Sequence, residues 1–291
     1  MWTNATLIAG PTASGKSAHA IKIARQKDCV IINADSMQVY DVLQLLTARP
    51  DQAELEQAPH YLYGHRAPGD QYSTGHWLKD VSKALPKIDQ DRHLVFVGGT
   101  GLYFRALLGG LSPMPEIDEQ IRQRWRARLD EQGAPELHRI LQSQDPVAAQ
   151  MLNPSDGQRI VRALEVFESS GKPIHFWQNQ KGLQLVDPDR VERIVLQPDR
   201  AALRQRIDRR FDQMVELGAI EEVKAIRCLE LPDSFPAMKA IGVQQLSAFL
   251  DGDLPLEEAI ELSKIATRQY AKRQMTWFRN QLDEKWHRIA V

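Results

Sequence analysis

Three runs of apolar residues divide the first hundred positions of the chain, and each is followed by small or polar residues. They cover residues 6–9, 29–33 and 94–97. The second and third runs do not alternate between apolar and polar positions, which is typical of strands covered on both faces of a sheet. A fourth run with strand character appears only at residues 191–196. We expect these runs to be the strands of the protein.

Segments with helical spacing lie between these strands. Residues 17–26 carry Ala18, Ile21 and Ala24 at helical spacing, and Ser73 is placed as the N-cap of a helix that ends near Pro86. Strands that alternate with helices indicate an α/β protein with a parallel sheet. Ligands of such sheets gather at the carboxyl ends of the strands.

The middle of the chain has a different character. Residues 117–142 read as a charged helix, and residues 155–169 read as another helix, which stops at Gly171 and Pro173. Because no strand pattern returns before residue 191, we predict a helical insertion at residues 113–188. The α/β core then consists of residues 1–112 and 189–291.

The first strand runs directly into a GxxxxGK[ST] motif, at residues 10–17. In a strand–loop–helix setting such a loop directs backbone N–H groups at phosphate oxygens, its lysine supplies a charge, and its serine hydroxyl can hold Mg²⁺ directly or through water. An ordinary glycine-rich turn before a helix is the alternative. The predicted diphosphate-binding residues are Gly10, Thr12, Ala13, Ser14, Gly15, Lys16 and Ser17, with Ser17 as the Mg²⁺ ligand.

Polar residues follow the second and third strands. Asp35 and Ser36 come after one, and Thr100 comes after the other. Because the carboxyl ends of parallel strands meet at one edge of the sheet, these side chains are predicted to share a cleft with the phosphate loop.

Net charge does not identify a partner, since 37 basic residues face 38 acidic residues. Attraction to nucleic acid must therefore come from local clusters. Lys264, Arg268, Lys272 and Arg279 fall near one face of a late helix, where they fit either a phosphate-binding stripe or a solvated face. The only cysteines, Cys29 and Cys228, are far apart and suit a reducing compartment. Together with the lack of a long apolar run or a secretory signal, this predicts a cytoplasmic protein without a membrane partner.

Six ordered segments resemble the bacterial tRNA dimethylallyltransferases, also called tRNA isopentenyltransferases. They are GPTASGKS at 10–17, NADSMQVY at 33–40, VGGTGLYFRALL at 97–108, QRIVRALEVFESSGKP at 158–173, RIDRRFDQM at 206–214 and TRQYAKRQMTWFR at 267–279. The resemblance implies a P-loop NTPase-like parallel sheet flanked by helices, with a helical insertion domain. It also implies transfer of a dimethylallyl group from dimethylallyl diphosphate to N6 of adenosine 37, beside the tRNA anticodon, with release of diphosphate.

The same resemblance implies residue roles. Asp35 corresponds to the general base, whereas the residues alone favour a turn cap or a group that helps to hold Mg²⁺. Thr100 corresponds to a catalytic hydroxyl and Arg210 to a guanidinium on the diphosphate. The partners implied are dimethylallyl diphosphate and the anticodon stem-loop of tRNA, which the helical insertion is expected to grip, and we expect a monomer. The predicted tRNA-binding residues are Asp35, Ser36, Met37, Gln38, Gln158, Arg159, Ile160, Val161, Arg162, Lys272, Arg273 and Arg279.

The chain departs from the family pattern at several positions. Leu46 stands where glycine is usual and Arg49 where lysine is usual, residues 59–65 lack a histidine and an aspartate of the pattern, and Val243 replaces a common tyrosine. Two other classes of function stay open on the residues alone. A P-loop kinase or ATPase needs an acidic Mg²⁺ site and a basic lid. A tRNA-binding module without activity needs neither Asp35 nor Thr100.

Overall fold

The computed structural model describes all residues from Met1 to Val291. The chain divides into two compact units, of which the first consists of Met1–Leu108 and Leu185–Val291 and the second of Gly109–Gln184. Both breaks lie four residues before the boundaries predicted for the helical insertion, 113 and 188. The first unit contains the sheet, and the second consists of helices.

The first unit is built on a six-stranded sheet in which every pair of neighbouring strands is parallel. The strand order is β3-β2-β4-β1-β5-β6. The strands are β1 (Ala5–Ala9), β2 (Cys29–Asn33), β3 (His60–Tyr61), β4 (His93–Gly98), β5 (Glu192–Gln197) and β6 (His287–Ala290). The central strands β1, β2 and β4 are buried along their whole length, as their apolar runs predict. The α/β parallel-sheet prediction is therefore confirmed.

Twelve α-helices accompany the sheet, and none of them is both long and apolar enough to cross a membrane. They are α1 (Lys16–Ala24), α2 (Gln52–Leu55), α3 (Thr74–Ala84), α4 (Gly101–Leu107), α5 (Glu119–Gln144), α6 (Pro146–Met151), α7 (Gly157–Ser170), α8 (Ile174–Gln178), α9 (Arg200–Glu216), α10 (Ala219–Arg227), α11 (Val243–Leu250) and α12 (Leu256–Gln281).

Several helix ends follow the predicted signals. Ser73 caps α3, where its hydroxyl accepts from the backbone N–H of His76, and Pro86 lies in the short 3₁₀ turn after the helix. Gly171 ends α7 in the left-handed conformation that glycine favours, with φ of 64°. The charged helix predicted at 117–142 is two helical segments instead, because Gly133 breaks it with φ of 77° and ψ of 164°.

Two strands of the sheet were not predicted, and both lie at its edges. β3 has only two residues, and β6 exposes most of its side chains. Edge strands of this kind carry neither a continuous apolar run nor a clear alternation, so hydrophobic patterning does not detect them. The second unit has its own core, in which α5, α6 and α7 bury Trp125, Leu141, Ile160 and Leu164.

Candidate active site

The phosphate loop lies between the end of β1 and the start of α1. Gly15 precedes the helix in the left-handed conformation with φ of 86°, and Ala13 adopts φ of 60° although it has a side chain. A Cβ at Gly10 would lie 2.6 Å from Ser14 Oγ, so a larger residue there would displace the Ser14 hydroxyl. Ser14 Oγ is buried without a hydrogen-bond partner. A buried polar atom in this position is suited to an anion held by the loop.

Lys16 is the first residue of α1 and is buried. Its ammonium donates to the carbonyl oxygen of Pro11 at 3.3 Å. Burial lowers the pKa of Lys16 to about 8, while the charge of Asp35 raises it and the charge of Arg210 lowers it further. The loop therefore holds a cation that lacks a paired carboxylate and that gains from a bound anion.

Helix α9 brings arginines to the same place. Arg206, Arg209 and Arg210 line one cavity together with Lys16 and Ser17. Burial lowers the pKa of Arg210, against the charges of Glu54 and Asp35. Nε and Nη2 of Arg206 are buried without a hydrogen-bond partner. Because native proteins rarely leave such donors unpaired, the Arg206 guanidinium indicates an anion site beside the loop.

Asp35 follows β2, as predicted, and its backbone is held by Asn33. Asn33 Oδ1 accepts from the Asp35 N–H at 2.8 Å, and Asn33 Nδ2 donates to the Asp35 carbonyl at 2.9 Å. On the side chain, Oδ1 accepts from the backbone N–H of Met37 at 3.0 Å, and Oδ2 lies against Gly99. The carboxylate is half-buried. One of its oxygens is thus fixed by the turn, and the other faces the end of β4.

Thr100 follows β4 and contacts the Asp35 turn. Its Oγ1 accepts from the backbone N–H of Ser36 at 2.9 Å and lies 3.2 Å from Ser36 Oγ, to which it donates. Asp35, Ser36 and Thr100 are therefore grouped at one edge of the sheet, as predicted, but Thr100 does not line either cavity at the phosphate loop. The hydroxyl of Thr100 has an observed role in holding the turn.

Two cavities meet at these residues. The phosphate cavity, about 530 Å³, is lined by the loop from Thr12 to Ser17 and by the arginines of α9. The apolar cavity, about 280 Å³, is lined by Leu46, Ile207, Phe211, Met214 and Ile241 among others. The residues that line both are Thr12, Ala13, Asp35, Thr47, Ala48 and Arg210. An acidic and a basic side chain thus stand where an anionic site adjoins an apolar one.

The segment with the atypical residues forms part of this shared wall. Gln38 Nε2 donates to the carbonyl oxygens of Thr47 and Ala48, at 2.9 Å each. Arg49 donates to the carbonyls of Tyr40 and Asp41 at 3.2 and 3.0 Å. The Gln38 amide N–H groups therefore hold this loop, although Gln38 is among the predicted tRNA-binding residues. Leu46 extends the apolar cavity wall.

The phosphate cavity offers few protein ligands for a magnesium ion. No group of three or more His, Cys, Asp or Glu side chains is arranged to hold a metal. Ser17, the second residue of α1, is half-buried and lines the phosphate cavity. Mg²⁺ keeps several waters and is often bound through one protein group and substrate phosphates. The site suits Mg²⁺ that arrives with a diphosphate, with Ser17 as its protein ligand.

The predicted tRNA contacts on α7 are only partly accessible. Ile160 and Val161 are buried in the core of the helical unit, so their side chains do not reach RNA. The helical spacing explains this, since two of five consecutive helical residues face the core. Gln158 and Arg159 are exposed and Arg162 is half-buried, with Arg159 2.7 Å from Asp156 and Arg162 3.3 Å from Glu165.

The basic stripe of α12 also divides in two. Lys264 is buried and pairs with Asp212 at 2.7 Å and Glu261 at 3.0 Å, and Arg268 pairs with Asp208. These two cations join α12 to α9, so they fit neither of the two alternatives, a phosphate-binding stripe or a solvated face. Lys272, Arg273 and Arg279 are exposed. The first two line a surface groove with Trp277 and Asn280.

Three residues of the site were missed as individual candidates. Arg206 stood in the predicted motif RIDRRF but was not singled out, although it shares the helix face of Arg210 at a spacing of four. Gln274 and Tyr270 lie in the motif TRQYAKRQMTWFR. Burial and the charge of Asp35 raise the pKa of Tyr270, which lines the apolar cavity. A helical wheel of α12 anchored on Ala271 and Phe278 would have placed Gln274 on the buried face.

Comparison with known proteins shows the family of the chain. The family model described as IPP transferase matches residues 38–281. A tRNA dimethylallyltransferase of Chelativorans sp. is 59% identical over 292 residues, which covers 100% of both chains. Among solved structures, the tRNA isopentenylpyrophosphate transferase of Bacillus halodurans has a TM-score of 0.69 at 32% identity, covering 99% of this chain and 90% of that one. A eukaryotic dimethylallyltransferase acting on tRNA has a TM-score of 0.78 at 27% identity, covering 94% of this chain and 69% of that one. With a match over most of its length and a relative this similar, the chain belongs to the IPP transferase family.

Proposed function

We propose that this protein transfers a dimethylallyl group from dimethylallyl diphosphate to the N6 amine of the adenosine next to the anticodon of tRNA. The observation that carries the proposal is the pair Asp35 and Arg210, which lines both the phosphate cavity and the apolar cavity. A diphosphate in the first and a prenyl chain entering the second would place the reacting carbon between a proton acceptor and an anion-binding group.

The phosphate cavity binds the leaving group of the reaction, which is diphosphate. As the bond between the allylic carbon and oxygen breaks, the electron pair stays on the diphosphate and its negative charge increases. Lys16, Arg206 and Arg210 are aimed at the place where that charge develops. Loss of one such fixed donor commonly costs about 10²- to 10³-fold in rate.

Mg²⁺ held by Ser17 and the diphosphate oxygens would neutralise part of the same charge when it is bound. Ser17 is the protein ligand that we propose, and diphosphate oxygens and water would supply the other ligands of the ion. We therefore propose Mg²⁺ as a cofactor that binds with the substrate.

Asp35 acts as the base for the adenine amine. An adenine amine is a weak nucleophile, and the new carbon–nitrogen bond leaves a proton on nitrogen that must be removed. Asp35 Oδ2 takes that proton, while Oδ1 stays bonded to the Met37 N–H. General-base help of this kind contributes about 10²- to 10⁴-fold. Thr100 holds the Ser36 N–H, which fixes the turn that carries the base.

The target base must leave its stack to reach Asp35, at a cost of a few kcal/mol that contacts to the flanking nucleotides offset. The exposed Lys272, Arg273 and Arg279 of α12 are suited to the phosphates around it. Gln158, Arg159 and Arg162 are proposed as contacts from the helical unit. We also propose that the protein acts on tRNA as a monomer in the cytoplasm.

A kinase or ATPase is the rival that shares the phosphate loop. It needs an acidic Mg²⁺ site at a strand end, which Asp35 after β2 could supply, but β4 ends at Gly98 and is followed by Gly99 and Thr100, with no acid there. An apolar cavity against the phosphate cavity also suits a prenyl group better than a hydroxylated acceptor. Both observations favour prenyl transfer.

The test is incubation of the protein with dimethylallyl diphosphate, Mg²⁺ and unmodified tRNA, followed by mass spectrometry of the tRNA nucleosides. We expect one prenylated adenosine per tRNA and release of diphosphate. Release of inorganic phosphate from ATP, with unmodified nucleosides, would support the kinase instead.

A further inference from the structure

Gln274 is a buried glutamine of α12 whose side chain reaches two loops of the active site. Its Oε1 accepts from the backbone N–H of Thr12 at 2.9 Å, and its Nε2 donates to the carbonyl oxygen of Gly99 at 3.0 Å. Only 6% of the residue is exposed. The amide orientation is unambiguous, because a backbone N–H only donates and a carbonyl only accepts.

The reaction requires a constant separation between these two loops. Thr12 belongs to the phosphate loop, and Gly99 precedes Thr100, which bonds to Ser36 beside the base Asp35. A Cβ at Gly99 would lie 2.1 Å from Gln274 Nε2 and 3.1 Å from Asp35 Oδ2. The amide and the carboxylate therefore pack against the same face of one glycine.

On the basis of the function proposed above, we infer that Gln274 is a positioning residue that sets the separation between the leaving diphosphate and the base. It does not touch the reacting atoms. No other single side chain is hydrogen-bonded to both the phosphate loop and the turn after β4. These two hydrogen bonds require one acceptor and one donor at the end of the side chain. Methionine has the same length with neither, and glutamate has the same shape with two acceptors when it is ionised.

The first measurement compares Gln274→Met with the wild type. Misplacement of reacting groups by about 1 Å costs up to about 10²-fold in rate. We expect kcat to fall about 10- to 100-fold while the KM for tRNA stays within about twofold, since the exposed cations of α12 are unchanged. Ser263→Ala is the matched control, because it removes a buried hydrogen bond on the same helix, from Ser263 Oγ to the Ala259 carbonyl, away from both cavities. It should lower Tm and leave kcat unchanged.

The second measurement uses Gln274→Glu and is independent of how much protein is folded. A protonated carboxyl has one donor and one acceptor, as the amide does. The Gly99 carbonyl and Asp35 both disfavour the ionised form and raise the pKa of the new carboxyl, whereas the Thr12 N–H, the Tyr270 hydroxyl and the charge of Lys16 oppose that rise. We expect the ratio of its rate to the wild-type rate to rise as pH falls from about 8 to about 6, whereas the ratio for Gln274→Met stays flat.

These outcomes separate the inference from the function on which it rests. A wild type that prenylates tRNA, with Gln274 variants of normal kcat and lower Tm, would reduce Gln274 to a purely structural residue. A flat pH ratio for Gln274→Glu would also overturn the inference. A wild type that does not prenylate tRNA would instead overturn the proposed function.

Discussion

The hydroxyl of Thr100 accepts a hydrogen bond from the backbone N–H of Ser36 at 2.9 Å. The Thr100 N–H in turn donates to the Ala34 carbonyl at 3.2 Å, so the ends of β4 and β2 are tied by two bonds. A Cβ at Gly98 would lie 2.0 Å from the Ala34 carbonyl oxygen, which shows how closely these backbones approach. The turn that carries Asp35 is therefore held from the neighbouring strand.

Asp35→Asn tests the proposed base. The amide keeps the size of the carboxylate but cannot accept the proton, so we expect turnover to fall at least about 10²-fold with tRNA affinity nearly unchanged. Single-turnover rates and tRNA binding measure the two effects. The exposed Asp233 offers the matched change Asp233→Asn, which should leave both unaltered. Near-normal turnover of Asp35→Asn would remove it as the base.

Arg206→Met tests the unpaired guanidinium. The side chain has no protein partner at Nε or Nη2, so its loss should cost little stability while it weakens binding of the diphosphate. We expect kcat/KM for dimethylallyl diphosphate to fall about 10²-fold or more, with partial recovery in Arg206→Lys because an ammonium lacks the planar fork. Arg204→Met is the control, since Arg204 is exposed and lies 4.0 Å from Asp208 in a weak ion pair. Equal effects of the two changes would contradict the assignment.

The pKa of Lys16 predicts how substrate binding varies with pH. The free protein holds this pKa at about 8, below the ordinary value for lysine, and the ammonium form is the one that binds an anion. Binding of dimethylallyl diphosphate in the absence of tRNA should therefore be strongest below pH 8 and weaken as pH rises through 8, with proton uptake on binding. Calorimetry in two buffers measures both. In Lys16→Arg the charge persists, and the decline above pH 8 should disappear.

Two pairs of cations on α12 should behave differently. Replacing Lys272 and Arg273, which are exposed, should weaken tRNA binding and flatten its salt dependence by up to about two units of slope. Replacing Lys264 and Arg268, which pair with acids of α9 and α12, should lower Tm and leave the slope unchanged. Titrations of each variant with tRNA at several salt concentrations measure these slopes. An unchanged slope for the first pair would assign those residues to the protein's own scaffold.

The sequence predicted those parts of the site that local rules control. Apolar runs located the central strands, and the positions of Asp35 and Thr100 followed because parallel strands end at one edge. The glycines and the lysine of the motif predicted the phosphate loop. The end of α7 was visible in Gly171.

The remainder depends on tertiary contacts that no local pattern contains. In the sequence Lys264 and Arg268 resemble solvated cations, but in the folded protein they pair with acidic side chains of α9. Gln274 is unremarkable as a glutamine in a helix, and its role exists only because Thr12 and Gly99 lie on either side of its amide. The burial of Ile160 and Val161 follows from which face of α7 packs on α5, and a motif of consecutive residues does not show that.

The division of the first unit around residues 109–184 has a consequence for synthesis on the ribosome. Chains emerge from the N-terminus, so the loop that holds phosphate and the aspartate beside it appear early. The arginines of α9 and the amide at position 274 appear only after the whole intervening helical segment has been translated. If the function proposed above holds, a nascent or prematurely terminated chain thus contains the phosphate loop without the groups proposed to complete the site, which appear only in the last stretch of translation.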